Sequence, residues 1–236
     1  MKLSKFIPLT LLTMAACASQ AHAEVIMYQF TGVVDLMVEK NEGLLSPTEV
    51  SSSTMPYGYL FKTGYTVHGT FSYDTASEST SCTGNAPSGS NATYACSENN
   101  FMTLTFDQSG YGEFHNAYGS RLTVQNGATD EFTITDAGGG STIYIGQSLT
   151  LADASGSAFS STGIPTKTLT LADFTSATFN YRYGLYQDYL IVNGHLTSLT
   201  KGHVSPVPEP ASYGMLLGGL ALLGAFARKT GRGSKH

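Results

Sequence analysis

Tryptophan is absent from the 236-residue sequence, cysteine occurs three times, and only 12% of the residues are charged. Without tryptophan, any stacking on a flat ligand falls to tyrosine and phenylalanine. The familiar catalytic signatures are missing too: there is no G-x-S-x-G, H-E-x-x-H, G-x-x-x-x-G-K-[ST] or EF-hand loop. Gly110-Tyr111-Gly112 opens a G-x-G that lacks its third glycine. Basic patches are lacking as well. Between Glu24 and Pro210 only Lys40, Lys62, Arg121, Lys167, Arg182 and Lys201 face all 17 Asp and Glu residues, so this stretch is strongly acidic although the whole chain carries −5. Such a surface repels polyanions, and nucleic-acid binding is excluded.

The chemistry-bearing residues that are present make no motif. His68, His115, His195 and His203 are scattered and read as strand or turn residues. Carboxylates such as Asp107 and Glu113 could pair for glycoside hydrolysis, but an acidic β protein offers such pairs by chance. No catalytic residue, cofactor or metal is assigned. Asp74, Asp107, Asp136, Asp153 and Asp173 stand at expected strand ends, where their oxygens suit calcium and where turn chemistry accounts for them equally well.

The N-terminus reads as an export signal. Lys2 and Lys5 precede an apolar stretch from Phe6 to Ala16, and Ala21-His22-Ala23 forms a small-x-small site before Glu24. Residues 1–23 are thus a signal peptide, cut by signal peptidase between Ala23 and Glu24. Met14-Ala15-Ala16-Cys17 approximates a lipoprotein box, with methionine a poor fit at its first position. Removal of residues 1–23 leaves Cys82 and Cys96, an even pair in an exported chain. They bracket the polar "TGNAPSGSNATYA", so a disulfide is expected, contributing about 3 kcal/mol by loop entropy. A two-cysteine metal site would lack histidines at ligand spacing.

At the other end, Ala211 to Ala227 carries no charge. As a helix it would rise about 25 Å against a hydrocarbon core of about 30 Å. Arg228 and Lys229 follow at once, which places the C-terminus in the cytoplasm and the acidic body outside. Gly214 and Gly218 form a GxxxG, readable as a helix-packing face or as ordinary membrane-helix glycine. Pro208-Glu209-Pro210, then this glycine-rich helix, then Arg228-Lys229, resembles the PEP-CTERM sorting signal of Gram-negative bacteria. The resemblance covers about the last thirty residues. It implies that a membrane-embedded exosortase recognises Pro208 to Pro210 and cleaves nearby, with the inner membrane a transient station. The body would then reach the cell surface or the exterior, in a matrix of exopolysaccharide.

Residues 24–204 read as β structure, with short runs of β-branched and aromatic residues split by Gly, Asn, Asp and Ser. Alternation puts Val67, Gly69, Phe71 and Tyr73 on one face, and likewise Met102, Leu104 and Phe106. Asn126-Gly127 and Asn193-Gly194 predict two type I′ hairpins. Ten to twelve strands in one antiparallel β-sandwich of jelly-roll type are expected, followed by the sorting segment, residues 205–236. "LTLAD" occurs at Leu149 to Asp153 and at Leu169 to Asp173, two strand ends turned by Asp and too few for a solenoid. The stretch around both also resembles ectodomains attached to PEP-CTERM signals, which brings no activity with it. In "FNYRYGLYQDY", Tyr181, Tyr183, Tyr186 and Tyr189 are candidate glycan contacts beside Arg182; the competing reading makes Phe179, Tyr181 and Tyr183 a core face. The functional expectation is a non-enzymatic, exopolysaccharide-associated surface or matrix protein, the alternative a secreted glycan-binding module or glycan hydrolase.

Overall fold

The computed structural model describes residues 24–41, 46–55, 58–75, 77, 90–94, 99–110, 120–140 and 142–202. The chain divides into two units, Met1–His203 and Val204–His236, and every described residue lies in the first. Its strands are β1 (Val25–Lys40), β2 (Thr48–Val50), β3 (Ser52–Ser53), β4 (Phe61–Lys62), β5 (Thr66–Asp74) and β6 (Asn91–Tyr94). They continue with β7 (Phe101–Phe106), β8 (Arg121–Gln125), β9 (Asp130–Gly139), β10 (Ile143–Asp153), β11 (Ser176–Leu185) and β12 (Asp188–Lys201). Among the described residues a single 3-10 turn spans Leu171–Asp173.

The expectation of an all-β, antiparallel body holds, but the arrangement differs from a jelly-roll sandwich. One continuous ten-stranded sheet runs in the order β6-β8-β9-β10-β11-β12-β1-β5-β7, with β2 beside β1; β3 and β4 pair separately. The sheet curls until one end lies over its middle. Phe71 and Tyr73 of β5 meet Phe132 of β9 at ring distances of 5.8 and 5.4 Å. Phe61 and Phe106 meet Tyr181 of β11 at 5.9 and 5.4 Å. Across the same interior Gln147 Nε2 donates to the Met102 carbonyl at 2.8 Å. A sheet that coils on itself buries one face without needing a second sheet.

Strand alternation produces that buried face. In β5 Val67, Phe71 and Tyr73 are inside, and in β7 so are Met102, Leu104 and Phe106. β1 buries Ile26, Tyr28, Phe30 and Val34 and then Met37, a change of parity. The pairing of β1 with β12 shifts between Val34 and Leu36, and one extra residue at a bulge is what moves the following side chains to the other face.

Both Asn-Gly expectations need correction. Asn126-Gly127 does lie between paired strands, but Gln125 is opposite Glu131 and neither Asn126 nor Gly127 has positive φ. The connection is longer than a type I′ turn. It is organised by buried Asp130, whose carboxylate accepts from Gly127 N at 3.1 Å and from Phe159 N at 2.7 Å. Asn193-Gly194 is no turn at all: it sits inside β12, with Asn180 Nδ2 donating to Asn193 Oδ1 at 2.8 Å. The β11–β12 turn is Tyr186-Gln187, flanked by the pair Leu185 and Asp188, with Tyr186 at φ 56°. The two "LTLAD" copies also diverge. The first ends β10, whereas the second closes the 3-10 turn, where Asp173 accepts from Thr170 N and Oγ1 at 3.0 and 2.9 Å.

Candidate functional site

β11 divides its residues between two environments. Phe179, Tyr181 and Tyr183 point inward and are 1–2% exposed, so the tyrosine pair read as a glycan contact is core instead. Apolar neighbours from β4 and β7 claim the Tyr181 ring, and the inward parity that gathers these aromatics leaves them no face for a ligand. Arg182, between them, points outward.

Register then assembles an outer patch. Arg182 stands opposite Gly146 of β10 and Ile191 of β12; in the next row Tyr144, Gly184, Tyr189 and Lys40 line up across β10, β11, β12 and β1. The guanidinium carbon of Arg182 lies 5.8 Å from the centre of the Tyr144 ring and 5.4 Å from that of Tyr189. Each such contact stabilises by about 0.5–1 kcal/mol at an exposed site. A Cβ on Gly146 would come within 2.7 Å of the Tyr144 hydroxyl oxygen and 3.0 Å of its ring, so the glycine is what lets that ring lie along its strand. Tyr186, at the adjoining turn, is 78% exposed. Of the four tyrosines expected as contacts, Tyr186 and Tyr189 are thus placed at this surface. Tyr144 was not anticipated; its sequence signal is an outward tyrosine between inward-alternating Ile143 and Ile145.

A guanidinium flanked by two rings is held in place while its N–H groups keep their capacity for planar acceptors or hydroxyls. Exposed tyrosine faces can cover the apolar face of a sugar ring. The patch thus combines a guanidinium with exposed tyrosine rings on one outer face.

The five aspartates are not gathered. Asp74 accepts from Asn99 Nδ2, Asp107 meets His68, Asp153 accepts from Ser155 and Ser157, and Asp173 caps its own turn. Asp136 is not at a strand end but buried inside β9. Among the described residues no group of three or more His, Cys, Asp or Glu could hold a metal ion. Two histidines do find carboxylates: His68 Nε2 lies 2.9 Å from Asp107 and His195 Nδ1 2.9 Å from Asp35. Asp35 and His195 are brought together by the pairing of the first and last strands, which sequence spacing does not reveal.

At the expected cleavage point, Glu24 N donates to Thr75 Oγ1 at 2.9 Å and Thr75 N donates back to the Glu24 carbonyl at 3.0 Å. Ala23, Cys82, Cys96, Pro208, Glu209, Pro210, Arg228 and Lys229 lie outside the described residues. Among the described residues no helix is long and apolar enough to cross a membrane; the helix expected at 211–227 is not among them.

Comparison with known proteins places one segment. The family model of the PEP-CTERM protein-sorting motif matches residues 206–232. The chain carries that motif, which marks an exported protein with a membrane-anchored sorting signal, a target of exosortase. No curated protein and no solved structure matches the chain.

Proposed function

We propose that this protein is a non-enzymatic component of the cell surface or extracellular matrix, released there by exosortase and associated with exopolysaccharide through the Tyr144–Arg182–Tyr189 patch. The observation that carries the proposal is the sorting-motif match at residues 206–232. It is supported by the export pattern of residues 1–23 and by the acidic body between. Proline is a residue type that does not continue a helix, which suits a sequence read by a protease ahead of the apolar run. A permanent anchor would need only that run and its basic stop.

The test is the double substitution Pro208→Ala and Pro210→Ala, which leaves hydrophobicity nearly unchanged. In the native host the double variant should stay at full length in the inner membrane, while the parent appears outside the cell without Arg228 to His236. A parent that keeps its basic tail and stays in the inner membrane of cells with active exosortase would refute the handle. For the patch, retention of the released protein by isolated exopolysaccharide should fall with Arg182→Ala and Tyr189→Ala. Tyr181 and Tyr183 are unsuitable for that test because truncating them opens the core.

A further inference from the structure

A second, differently built surface lies toward the other end of β12. β12, β1, β5 and β7 are neighbours in the sheet, and their registers align outward side chains in two rows. Thr200, Gln29, Thr70 and Thr103 make the first row. Ser198, Thr31, His68 and Thr105 make the second. The two rows line a cavity of about 310 Å³, the lower end of the size range of small-ligand sites, about 300–1,000 Å³. Within the lining, Thr103 of β7 is only 8% exposed.

The side chains hold one another in place. Thr70 Oγ1 and Thr103 Oγ1 are 2.9 Å apart, and Thr103 Oγ1 accepts from Thr70 N at 3.3 Å. Thr31 Oγ1 is 3.3 Å from His68 Nδ1, and His68 Nε2 is 2.9 Å from an Asp107 oxygen. Asp107 faces Nε2 and the Thr31 hydroxyl faces Nδ1, so the ring is held between two partners. Whichever of Thr31 Oγ1 and His68 Nδ1 donates, the Thr31 hydroxyl keeps unused hydrogen-bonding capacity for a partner. Each hydroxyl has one proton and two lone pairs, so these internal bonds use only part of the capacity of the array.

The chemistry of the lining selects its ligand. It has donors and acceptors in mixture, as sugar hydroxyls do, and no lysine or arginine. An anion would find no lysine or arginine there, would face the Asp107 carboxylate beside His68, and would sit on an acidic body. An apolar ligand would strip water from hydroxyls and an amide without replacing it. We infer that this trough binds a neutral, polyhydroxylated ligand: a short stretch of uncharged polysaccharide. The inference stands on the cavity and its lining and is independent of the Arg182 patch.

Saturation-transfer NMR on the full-length protein in a sugar-free detergent tests it, with neutral glucan, galactan and mannan hexasaccharides as probes and a hexauronate as the charged control. Thr31→Val with Thr70→Val removes two hydroxyls while keeping side-chain shape and strand preference. At least one neutral hexasaccharide should bind, more tightly than the uronate, and the double variant should weaken it tenfold or more at an unchanged melting temperature. Introduced into an Arg182→Ala background, the same double substitution should cause the same loss. If the double variant fails to fold, His68→Gln replaces it with the same expected loss. The inference is overturned if no neutral hexasaccharide binds, if the uronate binds best, or if the hydroxyl-deleted protein binds as the parent does. Loss in Arg182→Ala alone also overturns it, and assigns the binding to the patch.

Discussion

Gly194 and Gly127 both follow an asparagine, yet the structure gives their replacement by alanine opposite signs. A Cβ on Gly194 would run into the Val33 carbonyl oxygen and the ring of Phe179. Neither neighbour can yield easily: Phe179 is 2% exposed, and Val33 belongs to the strand paired with β12. Overpacking costs about 1–3 kcal/mol, and loosening one ladder bond adds about 1 kcal/mol. Against this stands a gain of about 0.5–1 kcal/mol from removing the excess freedom of glycine in a strand. The net destabilisation of Gly194→Ala is therefore about 1–3.5 kcal/mol. In a domain of this size that lowers the melting temperature by about 2–14 °C. Gly194→Val should be worse. At Gly127 the nearest atom to an added Cβ is Ser90 Cβ at 3.7 Å, ordinary contact, and φ is not positive. Gly127→Ala should be neutral or stabilising by up to about 1 kcal/mol. Thermal unfolding followed by circular dichroism reads both. Two type I′ turns would make both substitutions destabilising; a Gly194→Ala melting temperature within about 1 °C of the parent would refute the close-packing argument.

Two further outcomes follow from local chemistry. Hydrogen bonds from the Ser155 hydroxyl and from the Ser157 and Ser155 backbone N–H groups hold the Asp153 carboxyl well below the usual carboxylate range. Its stabilising effect is thus complete above the unfolded value near pH 4 and is lost as pH falls below that toward the folded value; the melting-temperature gap between the parent and Asp153→Asn should be constant near neutrality and shrink below about pH 4, and a gap that grows in acid would contradict the assignment. Cys82 and Cys96 should be bridged within one exported chain, so intact mass should rise by two hydrogens on reduction, whereas two freely alkylated thiols in native material would refute the bridge.

Alternation was legible wherever one face is dry. Phe71 and Tyr73, or Met102 and Leu104, could be placed inside because a period of two has one solution when one side faces the core. The Asn-Gly signals misled because a glycine serves two needs, positive φ and close backbone approach, and a dipeptide does not distinguish them. Gly194 answers the second need. The same strand count fits two sheets or one curled sheet; what separates them is which strands pair, and β12 lying beside β1 is a contact between the two ends of the body. Tyr144 and Arg182 meet only through the register of β10 with β11. The trough needs three registers at once, so no reading of separate strands could assemble Thr200, Gln29, Thr70 and Thr103 into a row.

The pairing of β1 with β12 also bears on where a sorting signal is useful. β1 is made first and β12 last, and Tyr28 ends up opposite Lys201. Both strands are interior to the sheet, β1 between β12 and β5, β12 between β11 and β1. Until β12 is present, β1 and β11 each keep an open edge, the kind of edge that pairs with other chains. Non-local strand pairing of this kind is slow, because the loop must close before contacts reward it. The sorting match begins at residue 206, just after β12 ends at Lys201. A processing enzyme that reads this segment therefore meets only chains whose strand β12 has already been synthesised, and a chain truncated before β12 never displays the sorting signal. A recognition segment ahead of β1 would offer no such selection, since it would be complete while every interior strand was still missing.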